Sequence, residues 1–264
     1  MIYFLHISYD GTAYRGWQRQ LNAISVQEVI ELKLKKIFKK EITVIGCGRT
    51  DAGVHASQYL LHIYLDTQPQ FDLVFRLNKH LPNDIVAYNM IPMDESSHAR
   101  FDAHSRTYDY FIHSYHDPIL YRYSTYHNFE NYNFEAMKSA ASILCNYSDF
   151  KAVCKQPEMH NHTKCQIKKS VLYIDHTNQR MQFSITANRF LRGMIRLIVS
   201  YLLKIGAGEI TLEAFEILLA NKINIPENKP AQPNGLFLTK IEYPYLSLDT
   251  RPDICSMLKK GLEH

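Results

Sequence analysis

One carboxylate stands inside "GCGRTDAGVHA" (Gly46–Ala56): Asp51, two residues after Arg49 and two before Gly53. In an extended segment residues i and i+2 point to the same side. A guanidinium there favours the ionised carboxylate by lowering its pKa, and an ionised Asp is what carboxylate nucleophilic chemistry requires at neutral pH. The glycines do not fit a phosphate cradle. A dinucleotide fingerprint wants a third glycine where Asp51 stands, and a carboxylate would repel the pyrophosphate. A P-loop wants Lys-Ser/Thr where Val54-His55 stand, although Gly48 and Gly53 have the right separation. A plain β-loop-β turn, with Asp51 capping backbone N–H groups, competes with the reactive reading, and the stretch alone leaves the two level.

A second set of reactive types is Cys154, His160, His162 and Cys165, two thiols and two imidazoles within twelve residues. Their spacing is not the paired Cys-x2-4-Cys and His-x3-5-His of structural zinc sites. The segment reads better as a flexible, basic, His-bearing loop. The five cysteines are scattered and odd in number, which argues for reduced thiols over a disulfide framework.

The chain has 264 residues and a net charge of +4, and its pI is near 8.6. That balance alone does not imply nucleic acid, but the distribution does more. Gly11–Gln27 has no acidic residue and holds Arg15, Arg19, Tyr14 and Trp17. His176–Gly208 again has none and holds Arg180, Arg189, Arg192, Arg196 and Lys204. Acid-free basic segments carrying aromatics suit a polyanion with stackable bases. Arg15 and Arg19 are candidates for phosphate contacts, which need only charge and reach; Trp17 reads as a support for its loop. No apolar run is long enough to span a membrane. The N-terminus alternates like a strand and lacks a signal-peptide pattern, so the expected location is the cytoplasm.

Elements must position these residues. Ile2–Tyr9 reads as a strand. A helix follows to about Lys39, started by Ser25 as N-cap with Glu28 completing a capping box. "TVIGC" and His55–Asp66 read as strands, Phe71–His80 as a helix and Asp84–Met93 as a strand. The first part is therefore β-α-β-β-α-β, the ferredoxin-like order. Beyond a boundary near Ala99–Ser105 come a strand at Thr107–His113, a helix near Phe134–Cys145, and strands at Ile167–His176 and Met181–Ala187. Asn188–Gly206 is the most apolar helix, with Gly206 as its stop. A short helix begins after Thr211, and Gly235–Pro244 is a closing strand. The division is a domain at 1–104, carrying the Asp loop, and a second α/β domain at 105–264.

"GRTDAGVHA" resembles the signature of the tRNA pseudouridine synthase A family. Four further stretches resemble that family in order: "YDGTAYRGWQRQ" with "SVQEVIE", "HARFDAHSRTYDYFI", "NRFLRGMIRLIVSYLLKIGAGEIT" and "PNGLFLTKIEYP". The resemblance implies an α+β fold of two ferredoxin-like (RRM-like) subdomains with joined antiparallel sheets and a central basic cleft. It implies a homodimer that isomerises uridine to pseudouridine in the anticodon stem-loop of tRNA, with no metal and no small-molecule cofactor. Asp51 matches the catalytic Asp, Tyr108 the Tyr that packs on the target base, and Arg196 the Arg that pairs with the catalytic carboxylate. Arg49 is expected to touch RNA or order the loop, and Arg106, two residues before Tyr108, joins the substrate-binding set. Arg192 departs from the family pattern, where many relatives have His. On chemistry alone Arg192 and Arg196, one turn apart, present charge on one helix face.

Overall fold

A computed structural model describes residues 1–249 and 251–262. The protein is a mixed α/β fold whose strands pair mostly antiparallel. Contacts divide it into two compact units. The first holds Met1–His104 with Phe237–Asp253; the second holds Ser105–Leu236 and the stretch from Ile254 onward.

In the first unit the elements run β1 (Ile2–Tyr9), α1 (Val26–Phe38), β2 (Ile45–Gly46), β3 (His55–Tyr64), α2 (Leu73–His80) and β4 (Ile85–Met93). Strand β1 lies antiparallel between β4 and β3. Strand β2 adds an antiparallel step on β3 at Leu61–His62. Strand β9 (Leu236–Glu242), which belongs with this unit from Phe237 on, pairs parallel with β3 at His55–Ala56. By sequence order this strand falls in the second half, and its pairing with β3 is a long-range contact that its own pattern does not specify. The Ser25 hydroxyl accepts from the Glu28 N–H at 3.2 Å and starts α1, as its cap position implies. The helix buries Val26, Ile30 and Leu34, at steps of four. Lys39 ends it in the left-handed region at φ 58°.

In the second unit β5 (Ser105–His113), β8 (Arg180–Ala187) and β7 (Ile167–Ile174) form an antiparallel set with β8 between the others. A two-residue strand, β6 (Thr125–Tyr126), pairs parallel with β5. Helices α3 (Phe134–Ser142), α4 (Met194–Gly206), α5 (Leu212–Ala220) and α6 (Ile254–Leu258) complete it. The Asp109 side chain of β5 is fully buried; its Oδ1 accepts from Gln182 Nε2 at 2.8 Å and its Oδ2 forms an ion pair with Lys259 Nζ at 2.7 Å, which ties the chain just after α6 to the sheet.

Helix α4 is shorter than its apolar pattern suggested. Leu191 is buried but not helical, because Gly193 takes φ +67° and interrupts the backbone just before Met194. The left-handed stop is Gly208, at φ +73°, and not Gly206. A Cβ on Gly206 would come within 2.5 Å of Met137 Sδ and of Tyr132, so this glycine permits close packing beside α3. Among the described residues no helix is long and apolar enough to cross a membrane.

Candidate active site

Asp51 lies on the loop between β2 and β3, and it opens a tight turn. The Val54 N–H donates to the Asp51 carbonyl at 3.2 Å, and Gly53, the third residue of the turn, has φ +76°. A turn of this kind needs a residue that tolerates positive φ at that position. The turn reading and the reactive reading are therefore not exclusive. The backbone of Asp51 makes the turn, and its half-buried side chain is carried on it.

The segment after β1 clamps this loop from Tyr9 to Trp17. Trp17 N–H donates to Thr50 O at 3.2 Å and Gly53 N–H to Tyr14 O at 3.2 Å. The Tyr9 hydroxyl and Thr50 Oγ1 are 2.8 Å apart. The backbones approach closely. A Cβ on Gly11 would fall 2.0 Å from the Val54 carbonyl oxygen, and one on Gly16 would fall 2.5 Å from that of Thr50. From the other side Tyr59 of β3 donates its hydroxyl to Gly48 O at 2.5 Å, and the Cys47 N–H reaches Leu60 O at 2.8 Å. The Trp17 and Tyr59 rings stack with centroids 4.2 Å apart. Both are buried, so Trp17 supports the loop as its position suggested. Such aromatic pairs add about 0.5–1.5 kcal/mol beyond their buried area.

At the far end of the loop His55 is buried and stacks on Phe237, centroids 4.5 Å apart. Its Nδ1 lies 3.1 Å from both the Gly11 nitrogen and Asp10 Oδ1. Unprotonated, that atom accepts from Gly11; protonated, it donates to Asp10. Burial raises the Asp10 pKa, but hydrogen bonds from His55 and Thr12 outweigh it and hold the carboxyl well below its usual range. Tyr9, Asp10, Thr50, His55 and Tyr59 were not singled out from sequence as loop supports. Their only signal there was that they lie in or beside the quoted blocks.

The basic residues of this unit differ in what they do. Arg49 is exposed, and among the described residues it enters no ion pair, so the local pairing expected from its i, i+2 spacing to Asp51 is not formed. Arg15 is exposed. Arg19 is held by α1, with Nη1 3.2 Å from Glu31 Oε2 and Nη2 3.9 Å from Glu28 Oε1.

In the second unit Tyr108 sits in mid-β5 opposite Ile185, 7% exposed, with the Phe190 ring edge-on at 5.1 Å. Arg106 donates from Nη1 to Asn188 O at 2.9 Å. Arg196 lies in the first turn of α4, half-buried, and donates from Nε to Ala231 O at 2.6 Å while its own carbonyl accepts from the Ala231 N–H at 2.9 Å. The Nε bond orients the guanidinium, and the backbone bond ties this turn of α4 to Ala231. Arg192 precedes the helix, so the shared helix face expected for it and Arg196 is absent; its side chain binds Gln156. Arg189 contacts His162 at 3.1 Å. The 154–165 loop thus holds to the residues before α4 and is not independent of them. Cys154 and Cys165 are buried, and burial pushes both thiols up to about 11, whereas His162 is exposed. Among the described residues no three His, Cys, Asp or Glu are grouped to hold a metal ion.

A family model described as tRNA pseudouridine synthase matches residues 6–102 and 140–244. Asp51, Arg49, Arg15, Arg19 and Arg196 fall within the matched stretches; Arg106 and Tyr108 fall between them. The tRNA pseudouridine synthase A of Porphyromonas gingivalis is 38% identical over 248 residues, covering 92% of this chain and 97% of the relative. That of Bacteroides fragilis is 39% identical over 249 residues, covering 92% and 96%. That of Bacteroides thetaiotaomicron is 37% identical over 269 residues, covering 97% and 96%. The chain belongs to the tRNA pseudouridine synthase family.

Proposed function

We propose that this protein isomerises uridine to pseudouridine in the anticodon stem-loop of tRNA, with Asp51 as its essential carboxylate. The observation that carries the assignment of Asp51 is the clamp on its loop. Backbone bonds from Trp17, Gly53 and Val54, and side-chain bonds from Tyr9 and Tyr59, hold the loop that carries one half-buried carboxylate. Pre-organisation of this kind is what a reacting group needs.

The reaction is balanced without a redox partner. The N1–C1′ bond of uridine breaks, the base turns, and a C5–C1′ bond forms; C5 loses a proton and N1 gains one. Asp51 either adds to the base or sugar or stabilises charge as the glycosidic bond breaks. The target base must first leave its stack, at a cost of a few kcal/mol. Tyr108 is the residue assigned to pack on it, an interaction of about 1–3 kcal/mol per base. Arg196 is assigned as the cationic partner of the reacting carboxylate. Arg49, Arg15, Arg19 and Arg106 are assigned to the RNA backbone, with Arg19 exchanging Glu31 for phosphate. The protein works in the cytoplasm as a homodimer, and no metal or organic cofactor enters the reaction. Incubating the wild type and Asp51→Ala with unmodified tRNA and mapping pseudouridine tests the assignment. Wild-type conversion with none in the variant is expected, and full activity in the variant overturns it.

A further inference from the structure

The first unit carries a run of rings that the reaction leaves unused. Tyr64, His62, His98 and Phe101 follow one another with centroid separations of 5.3, 4.7 and 4.3 Å. The inner member, His62, is fully buried and leans on Phe4 at 6.0 Å. The outer members are open, Phe101 at 76% exposure and Tyr64 at 53%.

Phe101 is exposed on a loop held firmly at every step. The His98 N–H donates to Asp102 Oδ2 at 2.7 Å, and the Tyr245 hydroxyl donates to the same oxygen at 2.6 Å. The Tyr243 hydroxyl donates to Ala99 O at 2.5 Å, and the Ala99 N–H reaches His62 Nδ1 at 3.1 Å. His98 Nδ1 accepts from the N–H groups of both Arg100 and Phe101, at 3.1 and 3.2 Å. A phenyl ring displayed this way adds nothing to the core and leaves apolar surface in water. One face of the ring lies on His98, tilted 29°. Arg100, also exposed, has its guanidinium carbon over the ring, 5.8 Å from its centre. An exposed apolar ring with a guanidinium standing off it at 5.8 Å matches an unpaired base followed by its phosphate.

We propose that Phe101 is a stacking platform for an unpaired base of the RNA substrate, backed by His98, with Arg100 meeting the adjoining phosphate. This rests on the assignment of tRNA as substrate and adds a contact away from Asp51. The ring is pre-ordered, so little conformational freedom is lost on stacking.

The test is binding of an unmodified tRNA transcript, measured for wild type, Phe101→Ala, Phe101→Leu and Phe101→Trp. Stacking predicts a roughly 5- to 150-fold weaker Kd for Ala. Leu, which keeps apolar bulk but has no π face, should resemble Ala, and Trp should resemble the wild type. Arg100→Gln should lower the slope of log Kd against log salt by about one. Ala within twofold of the wild type, or Leu equal to it, overturns the proposal. A change of molecular mass in sedimentation, with tRNA binding intact, would assign the ring to a contact between copies and overturn it too. Pseudouridine formation by the wild type is scored in parallel. If it is absent, the enzymatic reading fails; if it is present and Phe101→Ala binds normally, only the platform fails.

Discussion

Trp17 and Tyr59 stack with ring centres 4.2 Å apart, and together they leave no room for a side chain on Gly46, where a Cβ would sit 2.1 Å from the Tyr59 hydroxyl and 2.6 Å from Trp17 Cε2. The pair joins the segment after β1 to strand β3, and the Asp51 loop runs between them. The same Tyr59 hydroxyl also binds Gly48 O. Stability and site geometry therefore share these two rings.

Trp17→Ala should destabilise the protein by about 3–5 kcal/mol, the usual cost of emptying a buried aromatic site. Trp17→Phe should lose less. Denaturant unfolding followed by circular dichroism checks the size of the loss. Turnover by the folded fraction should fall as well, because the loop loses one wall.

Two glycine substitutions separate backbone crowding from backbone strain. Gly11→Ala places a methyl group 2.0 Å from the Val54 carbonyl, which cannot move without moving the Asp51 turn. Gly208→Ala meets nothing within 4 Å and only has to hold φ +73°. The second should cost about 1 kcal/mol and leave turnover alone. The first should lower kcat well beyond its effect on stability. Equal kinetic effects would mean that the close approach of Gly11 does not set the loop.

Stability should fall on the acid side for a stated reason. Burial first, and the neighbouring His98 second, hold the His62 pKa down at about 4, against an ordinary value of 6.5. Between those values the unfolded chain takes up a proton that the folded chain refuses. The contribution is therefore complete above pH 6.5, shrinks as pH drops through the window, and levels off below about 4; its size is about 3 kcal/mol. His6, His113 and His127 are lowered chiefly by burial too and act in the same direction. Urea unfolding at pH 7.5 and 4.5 measures the drop. His62→Gln keeps an acceptor for the Ala99 N–H and should remove part of it, while an identical drop in that variant would contradict the assignment.

The elements were legible where local chemistry decides them. Ser25 caps α1 at the expected place, and β1, β3 and β4 follow their β-forming runs. What was not legible depends on partners distant in sequence or on single backbone angles. The apolar period continues through Phe190 and Leu191, so only the positive φ of Gly193 reveals that α4 starts later. Arg49 and Asp51 stand two apart, yet Arg49 is exposed and enters no ion pair among the described residues. Arg19 reads as an open charge until Glu31 is found 3.2 Å away. The spacing of Cys154, His160, His162 and Cys165 argues against a zinc site, but it does not reveal that both thiols are buried while His162 is exposed. Asp51 itself was visible by type, but its supports, Tyr9, Thr50 and Tyr59, become visible only when the strands are paired.

Asp51→Asn tests the central claim most directly. It removes the charge and the nucleophilic oxygen while keeping the size of the side chain and the backbone turn. Unmodified tRNA is incubated with wild type and variant, pseudouridine is mapped, and tRNA binding and unfolding are measured on the same preparations. The expected result is a folded variant that binds tRNA with near-wild-type affinity and forms no pseudouridine. Pseudouridine formation by Asp51→Asn at the wild-type rate would contradict the account.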